Sequence, residues 1–384
     1  MTLPHVHAIA IGGIHQLPHF LPSLFELVNR GAATATVFAL TGELKDEAEL
    51  LARELGYPAP EVVVMRLPIW LAARLPAERR KIPALLLWHR VLRNCDLLWS
   101  AERTSTILKR LPGSCPMFIH TPHGAGDRAV GFEKRIALFD NVLVAGEKDK
   151  ARLIASGRVR PNRCHVVGPV KLAVIKRISR SQASLFANDR PVVLYNPHFE
   201  NSLNSFEAVA DRLISAVQED GRYNLIVAPH IRLAKSWSAK RRRKWQDRRV
   251  PDRIIVDLGS RRSINMTYTL GADLYFGDVS SQVYEFLVKP RPCLFVNARQ
   301  VDWAADENYR MWRFGPVIGP DVDFIGAIDN AFATHANYVE VQKALVAETL
   351  ETNPFDAEEV ASADREDAVD KSARIVSQLL ANAQ

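Results

Sequence analysis

Cysteine is scarce in this chain and poorly spaced for metal. Cys95, Cys115, Cys164 and Cys293 form no C-x-x-C pair, so the thiols read as reduced and no zinc site is expected. No stretch offers about 18 consecutive apolar residues, the length a spanning helix needs. The opening MTLPHVHAIAIGG has neither a basic start nor a long apolar core, so no secretory signal is expected. Internal repeats and low-complexity tracts are missing too, which excludes a solenoid array. These absences together give a cytoplasmic protein as the expectation, or one resting on the cytoplasmic face of the inner membrane.

The chain has 384 residues, 47% hydrophobic and 24% charged. That composition is ordinary for a globular protein, and the length fits two α/β domains of roughly 170 residues better than one core. Fifty basic residues against 43 acidic ones leave a formal charge of +7, which favours acidic partners: nucleotide phosphates, anionic lipid or nucleic acid.

The most informative stretch is Asp273–Asn297, DLYFGDVSSQVYEFLVKPRPCLFVN. Asp273–Phe276 and Cys293–Val296 are short apolar runs suited to buried strands. Between them Gly277-Asp278-Val279-Ser280-Ser281 is a turn ending in cap chemistry. Gln282–Lys289 then carries Val283, Phe286 and Leu287 at helical spacing before Pro290 and Pro292 end it. A helix opening on two serines offers backbone N–H groups to phosphate, and Glu285, one turn in, could accept from ribose hydroxyls. An ordinary βαβ unit with a serine cap would look the same.

This segment resembles the nucleotide-binding βαβ of GT-B enzymes, and in particular the D-x-S-S segment of the CDP-glycerol glycerophosphotransferase family. The resemblance implies a fold of two Rossmann-type domains with parallel sheets facing across a cleft. It also implies a nucleotide-activated donor held by Asp278, Ser280, Ser281 and Glu285, with no cofactor. The chain would divide into an acceptor-side domain over 1–173, a semi-rigid link over 174–189 and a donor domain over 190–350. Residues 351–384 would form a terminal helix crossing back to the first domain.

Other segments are read in that light. His7–Ile11, Gly12-Gly13, a helix over Leu17–Arg30 and Thr34–Leu40 form a strand–turn–helix–strand opening. It places His15 at the cleft on the acceptor side, or simply in a loop. Ala48–Leu55 is expected as helix. His120-Thr121-Pro122-His123-Gly124 is similar to the family's H-G segment, which implies His123 as the base for an acceptor hydroxyl, with Gly124 beside it. The family's following lysine is absent, so its role would pass to Arg128. Gly168-Pro169-Val170-Lys171 resembles the end of the family's first domain, with Lys171 meeting a phosphate; Ala173 stands where an acidic residue is usual. Asn196-Pro197-His198-Phe199-Glu200 lies at a strand end, where α/β ligand sites form. Pro229-His230-Ile231-Arg232 has the order of the family's His-Pro reversed; His230 and Arg232 would offset leaving-group charge, or His230 would cap a strand.

Two basic stretches stand apart. Ile69–Trp99 interleaves Trp70, Trp88 and several leucines with arginines, as in a surface lying on anionic membrane, or as in a helical pair packed inward. Lys240–Arg249 could track anionic lipid or a nucleic-acid backbone, or be a solvated helix face. Phe324–Ala347 and Ala357–Ala381 are expected as helices. The expected activity is metal-independent transfer of a glycerophosphate or glycosyl unit to a hydroxyl of a lipid or cell-envelope glycan. Its rivals are a nucleotide-sugar glycosyltransferase or epimerase, a scaffold without catalysis, and a module binding anionic surfaces or nucleic acid. The last lacks the usual nucleic-acid signatures.

Overall fold

The computed structural model describes residues 2–124, 126–127, 133–178, 184–350 and 366–383. In the first half, seven strands form one sheet: β1 (His5–Ala10), β2 (Thr34–Ala39), β3 (Glu61–Val64), β4 (Leu97–Ser100), β5 (Met117–His120), β6 (Asn141–Val144) and β7 (Cys164–Val166). Their order is β3-β2-β1-β4-β5-β6-β7. A second sheet holds β8 (Val192–Asn196), β9 (Asn224–Val227), β10 (Ile254–Val256), β11 (Leu274–Gly277), β12 (Cys293–Val296) and β13 (Val317–Ile318). It runs β10-β9-β8-β11-β12-β13, and every pairing between these strands is parallel.

Parallel strands are covered on both faces, so they tolerate apolar residues at consecutive positions. LLWS in β4, NVLV in β6 and CLFV in β12 are buried throughout. Alternation sorts these side chains into two layers per sheet. Val6, Ala8, Leu97, Trp99 and Ile119 face one layer of the first sheet, and Ile9, Leu98, Phe118 and Val142 the other. In the second sheet Val193, Leu225, Phe276 and Leu294 oppose Leu194, Ile226, Tyr275 and Phe295.

The helices of the first half are α1 (Leu21–Asn29), α2 (Gly42–Glu54), α3 (Ile69–Arg74), α4 (Lys81–Leu87), α5 (His89–Leu92), α6 (Glu147–Ala155) and α7 (Val170–Ile178). The second half has α8 (Phe206–Asp220), α9 (Ala239–Gln246), α10 (Thr267–Gly271), α11 (Gln282–Phe286), α12 (Phe324–Ala333) and α13 (Val339–Leu350). The terminal helix α14 (Ala368–Ala381) packs on α1 and α7, placing Val369, Ala373, Val376 and Leu380 in the first sheet's core. Arg177 of α7 donates to Asp367 at 2.7 and 2.8 Å, tying the start of α14 down.

Several elements differ from the sequence expectation for local reasons. The first helix begins at Leu21, because a 3-10 segment containing Pro18 occupies Ile14–His19. The second starts at Gly42, capped by Thr41 accepting from the amide of Leu44. The helix expected over Gln282–Lys289 is a single turn ending at Phe286. Residues 324–347 break into α12 and α13 around the 3-10 turn His335–Tyr338. Residues 174–189 begin inside α7, whose Val170, Ala173 and Val174 belong to the first core. Of residues 357–381, only those from 366 onward are described. Trp99 is wholly buried in β4, where its Nε1 donates to Thr121 Oγ1 at 2.8 Å, so it is no part of a surface.

If α14 is an integral part of the first core, Leu380→Ala should lower stability by about 2–5 kcal/mol, the usual cost of emptying a leucine site. Urea unfolding followed by circular dichroism measures this, and an unchanged midpoint would mean the helix is dispensable.

Candidate active site

Strand order reverses between β1 and β4 and again between β8 and β11. At such switch points the loops leaving the carboxyl ends diverge and open a crevice. Both crevices face the same interdomain space, and the sequence-predicted groups meet there.

Gly12 and Gly13 follow β1, and neither position has room for a side chain. A Cβ on Gly13 would lie 2.5 Å from the His15 ring, and one on Gly12 1.7 Å from Gln16 Oε1. The two glycines thus let His15 and Gln16 fold back over the strand end. The His15 ring lies 5.6 Å from that of His123 and 5.9 Å from that of His230, edge-on to both. Burial, reinforced by His123, His230, Lys171 and Arg232, drives the His15 pKa far down and keeps the ring neutral.

His123 follows β5 and is exposed as a residue, with its imidazole enclosed by atoms of the cleft. Its Nδ1 lies 3.3 Å from the Ala101 carbonyl and its Nε2 3.3 Å from the Gln16 amide nitrogen. A carbonyl can only accept and an amide nitrogen can only donate, so the proton sits on Nδ1 and the Nε2 lone pair, facing the Gln16 amide, is the acceptor side of the ring. Burial lowers the His123 pKa, and Glu102 opposes that shift. Glu102 accepts from Gln16 at 3.0 Å and from Lys81 at 2.9 Å. Burial alone would raise its pKa, but Lys81 and Gln16 more than offset this and hold it ionised.

The second domain contributes His198 and His230, at the ends of β8 and β9. His230 Nδ1 accepts from the Arg232 amide at 3.2 Å, leaving Nε2 as its donor. Burial, then His198 and Arg232, push its pKa down to about 3. The exposed Arg232 guanidinium stacks 4.0 Å over the Phe199 ring, which itself lies 4.7 Å from His230. His198 is buried and accepts through Nδ1 from the Glu200 amide at 3.0 Å.

The turn after β11 behaves differently from expectation in one respect. Asp278 is fully buried and cannot touch a donor: Oδ2 accepts from the amides of His198 at 2.9 Å and Ser205 at 3.0 Å. It fixes the histidine loop instead. Burial raises its pKa to about 7, because a carboxylate there has few partners for its charge. Ser280 Oγ accepts from the Gln282 amide at 3.3 Å. Ser281 stands against Gly124, whose φ is +91° and whose Cβ, if present, would lie 2.7 Å from Ser281 Oγ. Because α11 is one turn long, its dipole is weak, and anion binding there would fall mainly to the serine groups.

Lys171 and Glu285 meet across the cleft at 2.7 and 2.8 Å, with Lys171 buried. A small cavity of about 50 Å³ between the domains is lined by both, together with Thr121, Gly168, Ser281 and Tyr284. Beside it, buried Asp127 accepts from Lys148 at 2.7 Å and from the Tyr284 hydroxyl at 2.8 and 3.0 Å. Arg261 reaches the first domain, donating to Glu54 at 2.7 and 2.8 Å and to Glu47 at 3.2 Å. Arg128 lies outside the described residues. The literal D-x-D at Asp321-Val322-Asp323 is structural, since Asp323 caps α12 and Asp321 pairs with Arg212 at 3.0 Å.

Sequence reasoning missed Gln16, Glu102 and the Asp127–Lys148–Tyr284 group. Gln16 was legible as the neighbour of His15 after two glycines; Glu102 only as a carboxylate just past a buried strand. In α9, Arg241 pairs with Glu207 and stacks on Trp237, and Trp245 anchors the helix inward; just past its end Arg248 pairs with Asp211. Lys240, Arg243 and Lys244 remain exposed on a solvated face.

Two parallel-sheet domains of this kind, joined across a cleft at their switch points, constitute the GT-B fold. No family model matches the chain, and no curated protein matches it. Solved structures do. A putative UDP-N-acetylglucosamine 2-epimerase from Listeria monocytogenes is similar with a TM-score of 0.62 at 13% identity, covering 100% of this chain and 97% of the other. The UDP-GlcNAc 2-epimerase from Neisseria meningitidis, bound to UDP-GlcNAc, gives 0.58 at 14%, covering 98% and 100%. The wall teichoic acid polymerase TagF gives 0.61 at 13%, covering 99% and 88%. At these identities the likeness establishes the fold.

The buried carboxyl of Asp278 yields a signed pH effect. Its folded pKa, about 7, lies above the ordinary value of 3.8, so the native state holds a proton that the unfolded chain releases. This contribution to stability is full below pH 4 and is lost as pH rises toward 7. Buried neutral His15 and His230 act oppositely, losing stability on acidification. Asp278→Asn should therefore flatten the decline between pH 4 and 7 relative to wild type. Parallel curves from denaturant titrations across that range would refute the assignment.

Proposed function

We propose that this protein is a GT-B transferase that moves a glycerophosphate or glycosyl unit from a nucleotide diphosphate donor to a hydroxyl acceptor. The observation that carries the reading is the meeting of His15, His123 and His230 with Ser281 and the Lys171–Glu285 pair where the carboxyl ends of both sheets face each other. TagF, whose structures include one soaked with CDPG, supports a CDP-glycerol donor by likeness of fold.

His123 Nε2 takes the proton of the acceptor hydroxyl as its oxygen attacks. With a CDP-glycerol donor the new bond forms to the phosphorus of the glycerophosphate, and CMP departs. With a nucleotide sugar it forms to the anomeric carbon, and the nucleoside diphosphate departs. Ser280 and Ser281 hold the donor phosphates. Glu285 turns from Lys171 to the ribose hydroxyls, which frees the Lys171 ammonium for the departing phosphate. His230, donating through Nε2, and Arg232 offset the remaining charge. The donor thus replaces one charge pair with two interactions, and the cleft widens around it.

A second reading, a nucleotide-sugar epimerase, is favoured by likeness to the epimerases, including the one bound to UDP-GlcNAc. Base preference separates glycerophosphate transfer from sugar chemistry, whether transfer or epimerisation. In a thermal-shift panel, cytidine selectivity supports glycerophosphate transfer, and uridine selectivity supports sugar chemistry. A ligand at about 100 times its Kd should add roughly 2.7 kcal/mol, and a flat panel would remove both readings. His123→Ala should preserve donor binding while lowering turnover by about 10²–10⁴-fold, the usual worth of a general base. Turnover at the wild-type rate would remove His123 from that role. Glu285→Ala should weaken binding of the ribonucleotide while leaving that of its 2′,3′-dideoxy analogue nearly unchanged; equal losses would place the ribose elsewhere.

A further inference from the structure

Nine large apolar side chains are exposed among the described residues, and six of them fall within residues 69–91: Ile69 at 89%, Trp70 at 63%, Ile82, Leu86, Leu87 and Val91. The other three, Leu3, Val28 and Leu138, are scattered along the chain. Single exposed leucines are normal, but a concentration of this kind marks a contact surface. The segment is not loose. Ala84, Leu85 and Leu92 are buried against the first sheet, and Trp88 Nε1 donates to the Arg66 carbonyl at 3.2 Å. It is held from within and apolar on the outside as well.

Charge identifies the occupant. Residues 65–95 contain seven basic residues and one acidic residue, Glu78. Three of the seven are used internally: Arg80 donates to the carbonyls of Ala72 and Leu75, Lys81 pairs with Glu102, and Arg93 holds the carbonyls of Leu111 and Pro112. Arg66, Arg74, Arg79 and Arg90 are exposed alongside the apolar side chains. Apolar tips among arginines match the boundary of an anionic bilayer, where acyl chains accept the former and headgroups the latter. A second copy fits poorly, since a two-fold contact would set these arginines against themselves.

Position gives the surface a purpose. α4 is connected to the cleft by three successive contacts: Lys81 to Glu102 at 2.9 Å, Glu102 to Gln16 at 3.0 Å, and Gln16 to His123 at 3.3 Å. We propose that the face built by α3, α4 and α5 docks this protein on anionic bilayers, setting the His123 cleft at the membrane surface. The hydroxyl it serves is then lipid-borne; this last clause rests on the transferase reading, and the docking itself does not.

Co-sedimentation of the full chain with vesicles tests it. Binding is expected to vesicles of phosphatidylcholine with about 30% phosphatidylglycerol and to be much weaker with phosphatidylcholine alone, falling as salt rises. Ile69→Ser/Trp70→Ser/Leu87→Ser should abolish it, and Arg74→Glu/Arg79→Glu/Arg90→Glu should weaken it by roughly fivefold or more per residue. These side chains are exposed, so both variants should keep the wild-type melting temperature and any nucleotide-induced shift. A failed nucleotide panel therefore leaves the docking result standing, and the converse also holds. Absence of binding to the anionic vesicles overturns the proposal. So does loss of binding in Lys240→Glu/Arg243→Glu/Lys244→Glu with retention in the apolar variant, which would assign the contact to α9. A wild-type dimer that the apolar variant renders monomeric in sedimentation velocity overturns it in favour of a second copy.

Discussion

The arrangement depends on burying charge between two domains. Lys171 against Glu285, and Asp127 between Lys148 and Tyr284, lie where parallel sheets bring their carboxyl ends together. Withdrawing such groups from water is costly, and the pairing roughly returns what desolvation takes. Net stabilisation is therefore small, but loss of one partner leaves a charge with nowhere to go. The pairs act as a registration device, since the domains can close only where each charge finds its counterpart.

That constraint shapes the electrostatics of the cleft. Burial keeps His15, His123 and His230 neutral, with neighbouring histidines adding to the effect at His15 and His230, so the fixed positive charge is left to Lys171 and Arg232. A neutral imidazole with an unprotonated acceptor nitrogen is what proton abstraction needs, and a neutral imidazole N–H is a good donor to phosphate. One environment thus suits both proposed roles. Asp278, drawn to the same place by its backbone contacts, supports the histidine loop from behind.

Much of the architecture was legible because parallel strands announce themselves as short apolar runs and helices as periodic ones. β11 and β12 lie within a residue of where their apolar runs place them. The turn after β11, with its two serines, was legible because turn chemistry is local, although Ser281, which precedes α11, makes no side-chain cap bond there. What escaped notice depends on contacts between residues distant in sequence. Asp278 reads as a site residue because sequence cannot tell that both of its partners are backbone amides 73 and 80 positions away. Glu102 and Gln16 escaped for the same reason, being joined across 86 positions. Trp99 and Trp70 belong to one interleaved run, and only the sheet distinguishes the buried ring from the exposed one.

Gly146, just before α6, comes so close to the end of α13 that a Cβ there would lie 2.3 Å from the Thr349 carbonyl oxygen. Two main chains, one from each half of the molecule, meet with no side chain between them. Even the smallest substitution would act as a shim, tilting one sheet against the other and spreading the histidines across the cleft. The separation of the domains is in this sense specified by an atom the chain omits.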